Sequence, residues 1–535
     1  MAMRPLKPSV LKICCLPLFL ISAAAAGGQT TDPTQAHLGK VNFPTSCSAE
    51  AQPIIEKGVA LLHSFQYEEA RQTFSEVETH DGKCAMAPWG KAMSLYEQLW
   101  GFPDKKKLKE GHKEIELAKG LHPESPREQG FVTAAAAFYQ ENSKLGHAER
   151  TKAYSAALEK LRTKFPNDVE IDSFYALSLV SLAEQGVDSL ANQKKAIAIL
   201  DPLLQQYPDH PGVAHYLIHA ADRPELAPQG LTAARRYAAI APDSPHALHM
   251  PSHIFVRLGL WQDSIASNIA SAASAARLAE AHKAEAHYEM HAMDFLSYSY
   301  LQSGQEAKAR EVIGHVDHVV SATEENKHDF TASLEARTAL ELHRWKDAAA
   351  LKDPPLRKDL QDVSRWARAI GAARIGDLAT AELAVSGLKE SVDERQSRAR
   401  KEGYTVPAEK PSDLGEAEAW LAFAQGKMEL ALQEMRAAVE HQEKNGGESV
   451  NIPAREMLAD MLMELKRPSE ALAEYKIVLQ NAPNRFDALL GAGRAAQASG
   501  DASEAQTFYA KLMEVCPPDA DRPELAEAKT VLTQK

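Results

Sequence analysis

From about residue 50 onward, apolar residues recur at three- and four-residue spacings, which is the period of one face of an α-helix. The periodic segments are short and come in couples. The turns Gln66-Tyr67, Leu260-Trp261, Arg344-Trp345 and Gly376-Asp377 each separate two of them. The predicted unit is therefore a helix–turn–helix, repeated along the chain. Alanine-rich stretches such as Ala134–Ala137 and Ala272–Ala276 suit thin, closely packed helices better than strands.

The C-terminal end carries a countable register. Ala459, Ala471, Tyr475 and Pro483 recur 34 residues later as Gly493, Ala505, Tyr509 and Pro517. Small residues at two fixed places let antiparallel helices touch, the aromatic fills the core between repeats, and proline stops the second helix. This pattern resembles the tetratricopeptide repeat. Looser copies are Gly58, Leu61, Ala70 and Phe74; Phe255, Gly259, Trp261 and Ser264; and Tyr300, Gly304 and Ala309. Residues 84–210 keep helical periodicity but lose the register. The resemblance covers most of 50–517, and the strings Cys84–Gly90 and His249–Phe255 are similar to those of exported bacterial members. It implies an all-α, right-handed solenoid whose concave groove binds a protein or peptide, and it carries no general enzymatic activity.

Two breaks suggest an organisation in two arrays. Asp353-Pro354-Pro355 interrupts the first, and residues 391–413 are charged and contain Gly403, Pro407 and Pro411. The expected layout is a signal peptide at 1–26, a lead segment at 27–50, an array at 51–390, a charged linker or long loop at 391–413 and a C-terminal unit at 414–535. The signal peptide rests on Arg4, Lys7 and Lys12 before the apolar run Ile13–Ala26, which ends in small residues. That run is short of the ~20 residues a membrane span needs. The expectation is an exported protein, periplasmic or secreted, with no membrane span after cleavage.

The formal charge of −13, without a basic tract interleaved with aromatics, argues against a nucleic-acid partner. After cleavage Cys47, Cys84 and Cys516 remain. Cys47 and Cys84 each precede a helical pattern with an antiparallel pair between them, so an oxidising compartment favours a disulfide joining them; two separate buried thiols are the alternative.

No HExxH, GxSxG, CxxC or phosphate-loop motif is present, and Gly491-Ala492-Gly493 lies in a repeat helix with no strand before it. Histidine stands out instead. Nine of the 20 fall between His210 and His291, where even scatter gives about three. His215/His219 and His249/His253 are i,i+4 pairs, which places both rings on one helix face.

The repeat resemblance implies that groove positions fall on Tyr216 and His219, on His249, His253 and Arg257, and on His291, Asp294 and Tyr298. Three readings follow. The histidines satisfy polar contacts inside the fold; or the strip grips a peptide or small anion, with no cofactor; or His219, His249, His253, His291 and Asp294 hold zinc or copper. Pro251, inside the second pair, either marks a helix start or kinks the helix, and a kink would disturb the i,i+4 geometry. His63 also falls at a groove position but stands alone, which favours a structural role.

Overall fold

The computed structural model describes residues 37–99, 102–140, 145–281, 286–402, 406, 410–444, 446–447 and 450–533. The expected signal peptide lies outside them. Among the described residues there is no strand, and helices follow one another in antiparallel couples. The register seen at the C-terminus appears as Ala454–Glu464 with Pro468–Asn481, then Phe486–Ala498 with Ala502–Val515. Its small residues are a packing requirement. A Cβ on Gly491 would lie 2.4 Å from the Tyr475 ring, and one on Gly493 would lie 3.0 Å from the Tyr509 ring. The glycines that imitate a cofactor loop are thus the seats of two buried tyrosines. Residues 84–210, where the register fails, are also helix couples, for example Val169–Glu184 with Ser189–Gln206. Helix propensity and amphipathic spacing there outlast the repeat signature.

Residues 37–50 form a strap over the first repeats. Phe43 is buried against Trp89 and Phe131, Ser46 donates through Oγ to Glu128 (2.6 Å), and the Lys40 amide donates to the Asp209 carbonyl (2.9 Å). Cys47 and Cys84 are disulfide-bonded, with Cα atoms 5.0 Å apart. Cys516 is a buried thiol.

The expected linker and boundary need correction. The helix Leu378–Glu402 runs through the first half of 391–413. One buried core extends from Ala336 to Ala528, with members on both sides of that segment, and residues 37–535 form one compact unit. Much of the charge that suggested a linker belongs to this elongated helix.

The C-terminal repeats also fold back onto the middle of the chain. Arg485, wholly buried, binds Glu456 (2.7 Å) and Glu341 (2.8 Å) and donates to the Tyr298 hydroxyl (3.0 Å). Trp261 donates to the Asn484 carbonyl, and Asn484 donates to the Gly259 carbonyl. Gly259 has a φ of 65°, and a Cβ there would sit 2.0 Å from the Pro483 carbonyl oxygen, so no other residue fits this junction. This seam sets one buried guanidinium against two carboxylates, and burial raises both acids, Glu456 to about 8.

Candidate metal centre

Four repeats meet around the histidine-rich segment. The first supplies His63 from Gln52–His63. The helix Pro211–Ala221 supplies His215 and His219, the couple Pro245–His249 and Pro251–Arg257 supplies His246, His249 and His253, and Ala286–Gln302 supplies His291. His210 caps its helix, accepting the Val213 amide on Nδ1 (3.2 Å), and this start places His215 and His219 on one face. Pro251 interrupts the assigned helix at Met250, but Met250 keeps helical angles (φ −52°, ψ −35°). Pro251 thus opens the helix Pro251–Arg257, the helix-start alternative, and His249 and His253 keep their Nε2 atoms in contact. Proline removes one donor here without changing the path, because its fixed φ is already helical.

Three clusters result. In the first, His63 and His210 both donate from Nε2 to the two oxygens of Glu170 (2.8 and 3.0 Å), and the Tyr216 hydroxyl lies 2.9 Å from His63 Nδ1. All four side chains are buried. Burial, opposed by Glu170, lowers the His63 pKa; Glu170 is itself buried, yet the two histidines hold it far below the usual carboxylate range. Every ring nitrogen has a complementary partner.

The second cluster joins His215, His219 and His246 through their Nε2 atoms. His215 donates from Nδ1 to the His63 carbonyl (2.6 Å), which leaves its Nε2 bare. That atom lies 2.9 Å from His246 Nε2 and 3.1 Å from His219 Nε2. Burial pushes His215 down to about 3 and holds His219 and His246 well below their ordinary value.

The third cluster is His249, His253 and His291. His249 donates from Nδ1 to Asn268 Oδ1 (2.7 Å), and Asn268 is oriented by donating to the Ser264 carbonyl. His253 donates from Nδ1 to Asp222 (2.8 Å). Their Nε2 atoms face each other at 3.0 Å. The His291 ring lies 4.3 Å from that of His249 and 5.8 Å from that of His253. Burial lowers His249 well below its ordinary value; His291, exposed at the edge of the triad, is brought down to about 4 by desolvation of its ring and by the neighbouring His253. Asp222 is buried, but Arg257 and His253 hold its carboxyl far down.

The second and third clusters adjoin. Ring centroids of His219 and His253 are 6.1 Å apart, and those of His246 and His249 are 6.2 Å apart, no farther than rings within a cluster. Phe65 lies against His219 and His246, and Phe295 lies against His249, His253 and His291.

Of the residues expected in the strip, His219 lies in the second cluster and His249, His253 and His291 form the third. Four others need correction. Tyr216 is fully buried against His63, and Tyr298 is buried on Arg485. Arg257 is tied to Asp222 (2.8 Å) and to the Gly447 carbonyl. Asp294 is ion-paired to Arg337 and is not among the converging groups. Tyr216 is covered by the first repeat, Asp294 by the helix Glu324–Glu341, and Arg257 and Tyr298 by C-terminal segments that fold back onto the middle of the chain. His63 is not solitary, since Glu170 and His210 complete its cluster. His215 and His246 are the converging residues missing from the expected set. For His246 a signal existed: His246, His249 and His253 follow i, i+3, i+7, one continuous helix face.

The Tetratricopeptide repeat family model matches residues 487–518. No curated protein matches the chain. Among solved structures, a tetratricopeptide repeat protein from Parabacteroides merdae is similar at 14% identity over 54% of this chain and 97% of that one, with a TM-score of 0.31. Yeast Tom70 is similar at 11% identity over 91% and 96%, with a TM-score of 0.32. Human IFIT1, solved as a dimer with m7Gppp-AAAA, is similar at 14% identity over 85% and 94%, with a TM-score of 0.35. At such scores these likenesses carry nothing about ligands. The match assigns the tetratricopeptide repeat to residues 487–518, and the remaining described residues share its arrangement of successive helix couples.

Proposed function

We propose that this helical-repeat protein is a metal-binding protein, with one zinc or copper ion in each of the two adjoining histidine triads. One observation carries the reading. His249 and His253 have both committed their Nδ1 hydrogens, to Asn268 and Asp222, so two bare nitrogens face each other at 3.0 Å. Lone pairs so placed repel unless a cation lies between them. A proton is the alternative filler, and burial together with neighbouring imidazoles opposes it at His249. Imidazole nitrogens bound at 2.0–2.1 Å to one tetrahedral ion lie about 3.3 Å apart, close to the contacts in both triads. The outer partners also suit ligation, because a carbonyl, an amide and a carboxylate each fix a ring tautomer with Nε2 free.

Imidazole-only donors favour copper or zinc over calcium or magnesium, which take oxygen ligands. The repeats then act as a scaffold for the centre, with His219, His249, His253 and His291 as ligands and Asp222 and Asn268 orienting two of the rings. Export is part of the proposal, supported by the basic, apolar and small-residue pattern of 1–26 and by the Cys47–Cys84 pair.

Elemental analysis after equilibration with zinc or copper and removal of free metal tests the reading. The expected result is two ions per chain, falling to one in the His249→Ala, His253→Ala double variant with the circular dichroism spectrum retained. A wild-type protein that retains no ion overturns it.

A further inference from the structure

The two triads hold their third ligand differently. In the second cluster His215 Nε2 touches both His246 Nε2 (2.9 Å) and His219 Nε2 (3.1 Å), so all three donors are drawn together. In the third, the Nε2 atoms of His249 and His253 meet at 3.0 Å, and the donor atom of His291 lies within 4.8 Å of theirs. Exposure follows the same division. His215, His246 and His249 are buried and His219 and His253 half-buried, whereas His291 is exposed. Phe65 lies against all three rings of the second triad and Phe295 against all three of the third, so an aromatic wall does not separate them. Anchoring does. His249 is held from behind by Asn268, and His253 by Asp222. Among the described residues no hydrogen bond holds His291, and Asp294, one turn further along its helix, is paired to Arg337. His219 also lacks such a bond on Nδ1, but its ring is half-buried and stacked on Phe65 (5.6 Å). Loss of the group behind a ligating imidazole typically costs about 10–100-fold in metal affinity. The third triad is therefore two anchored donors and one loose donor on the solvent side.

Resting on the metal reading above, we infer that the third triad is a transfer site, whose ion passes to an incoming imidazole donor as His291 is displaced, while the second triad keeps its ion. Three protein nitrogens leave a tetrahedral ion one open position, and zinc can pass through five-coordination. The incoming ring arrives from the side on which His291 is exposed. One metal–nitrogen bond forms to it as the bond to His291 breaks. Both donors are neutral imidazoles, so no proton or electron moves and the ion keeps its charge. An imidazole acceptor matches the donor it replaces, so the exchange is close to even in energy and runs in either direction. Loading and delivery thus use one route. The same exchange at His253 and His249 then frees the ion, more slowly, because Asp222 and Asn268 keep those rings aimed. The second triad has no exposed ligand at which such an exchange could begin.

The full chain is loaded with zinc, desalted and mixed with free histidine or, in a second arm, with a histidine-rich peptide at equal imidazole concentration. Zinc left on the protein is followed by repeated desalting and elemental analysis. The expected outcome is loss of one ion in a fast phase whose rate rises with acceptor concentration, and retention or slow loss of the other. A fast phase driven by the peptide alone assigns delivery to a protein acceptor, one driven by free histidine alone assigns it to a small molecule, and one driven by both assigns it to any imidazole. His291→Ala should lose the fast phase and keep the slow ion, and His219→Ala should do the reverse. If either variant fails to fold, as read by circular dichroism, the acceptor dependence of the wild type decides alone. Release of both ions in one phase, a fast phase indifferent to acceptor concentration, or one that survives in His291→Ala overturns the transfer inference and leaves the metal reading intact. Retention of a single ion overturns the inference together with the two-ion stoichiometry. Retention of none overturns the metal reading as well.

Discussion

The His63–Glu170–His210 cluster and the His249–His253–His291 triad use the same ring at similar spacings, yet their hydrogens are distributed differently. In the first, a carboxylate accepts from two imidazoles, a backbone amide satisfies His210, and the Tyr216 hydroxyl meets His63. In the second, an amide and a carboxylate draw the Nδ1 hydrogens outward and leave bare nitrogens converging. A buried polar cluster supports the fold when each lone pair meets a hydrogen, and becomes a receptor when lone pairs meet each other. The position of the acceptor decides. Glu170 sits between its histidines, whereas Asp222 and Asn268 sit behind theirs.

Mutation can break the contrast from the closed side. Glu170→Ala leaves two buried imidazole donors without their acceptor and is expected to cost on the order of 3–5 kcal/mol in urea unfolding. His253→Ala in metal-free protein should cost less than half of that, since it also relieves the facing lone pairs. A reversed order would mean that the open triad is structural.

Reduction separates the same regions by another route. His63 belongs to the repeat stapled by Cys47–Cys84, whereas His249 and His253 do not. Replacing both cysteines by serine is expected to destabilise by about 3–4 kcal/mol, from the entropy of a 37-residue separation. Hydrogen exchange should accelerate in Gln52–His63 and stay slow in Pro251–Arg257.

Metal addition sharpens the open side. At a hundredfold excess over the dissociation constant, zinc should stabilise the wild type by about 2.7 kcal/mol per site. In the His249→Ala, His253→Ala variant the gain should halve, and in Glu170→Gln it should persist.

The smallest effect concerns a buried acid that no histidine partners. Glu416 accepts from the Trp366 indole (2.9 Å), and burial, together with Asp413, raises it to about 8. A carboxyl raised on folding stabilises fully below its unfolded pKa, and that stability is lost as pH rises through the folded value. Glu416→Gln should therefore be more stable relative to wild type at pH 8 than at pH 4. Equal gains at both pH values would show that the side chain does not titrate.

The fold was legible where local chemistry and repeat register coincide, at Ala459–Pro483 and again at Gly493–Pro517. It was less legible across 391–413, where charge reads as a linker until the buried face of Leu378–Glu402 is seen. For the site, local spacing revealed His249/His253 and His215/His219, because i,i+4 pairs belong to one helix. It could not reveal that Asp222, Asn268 and the His63 carbonyl would take the Nδ1 hydrogens, since those partners come from other helices or turns. Nor could it show that Tyr216, Arg257 and Tyr298 turn inward, which depends on the segments from other parts of the chain that cover them.

The seam made by Arg485, Trp261 and Asn484 bears on how the chain reaches this state. A repeat array ordinarily folds by neighbour-to-neighbour growth and can fray from either end. Here Trp261 and Asn484 are 223 positions apart, and Arg485 and Tyr298 are 187 apart. Such closures raise contact order, which slows folding and binds distant segments into one transition. On the ribosome, the histidine-bearing helices and the groups that orient their rings emerge together, long before the C-terminal segments that clasp Arg257, Trp261 and Tyr298. A chain truncated before those segments would keep its six histidines and lose the outer clasp on the helices that carry them.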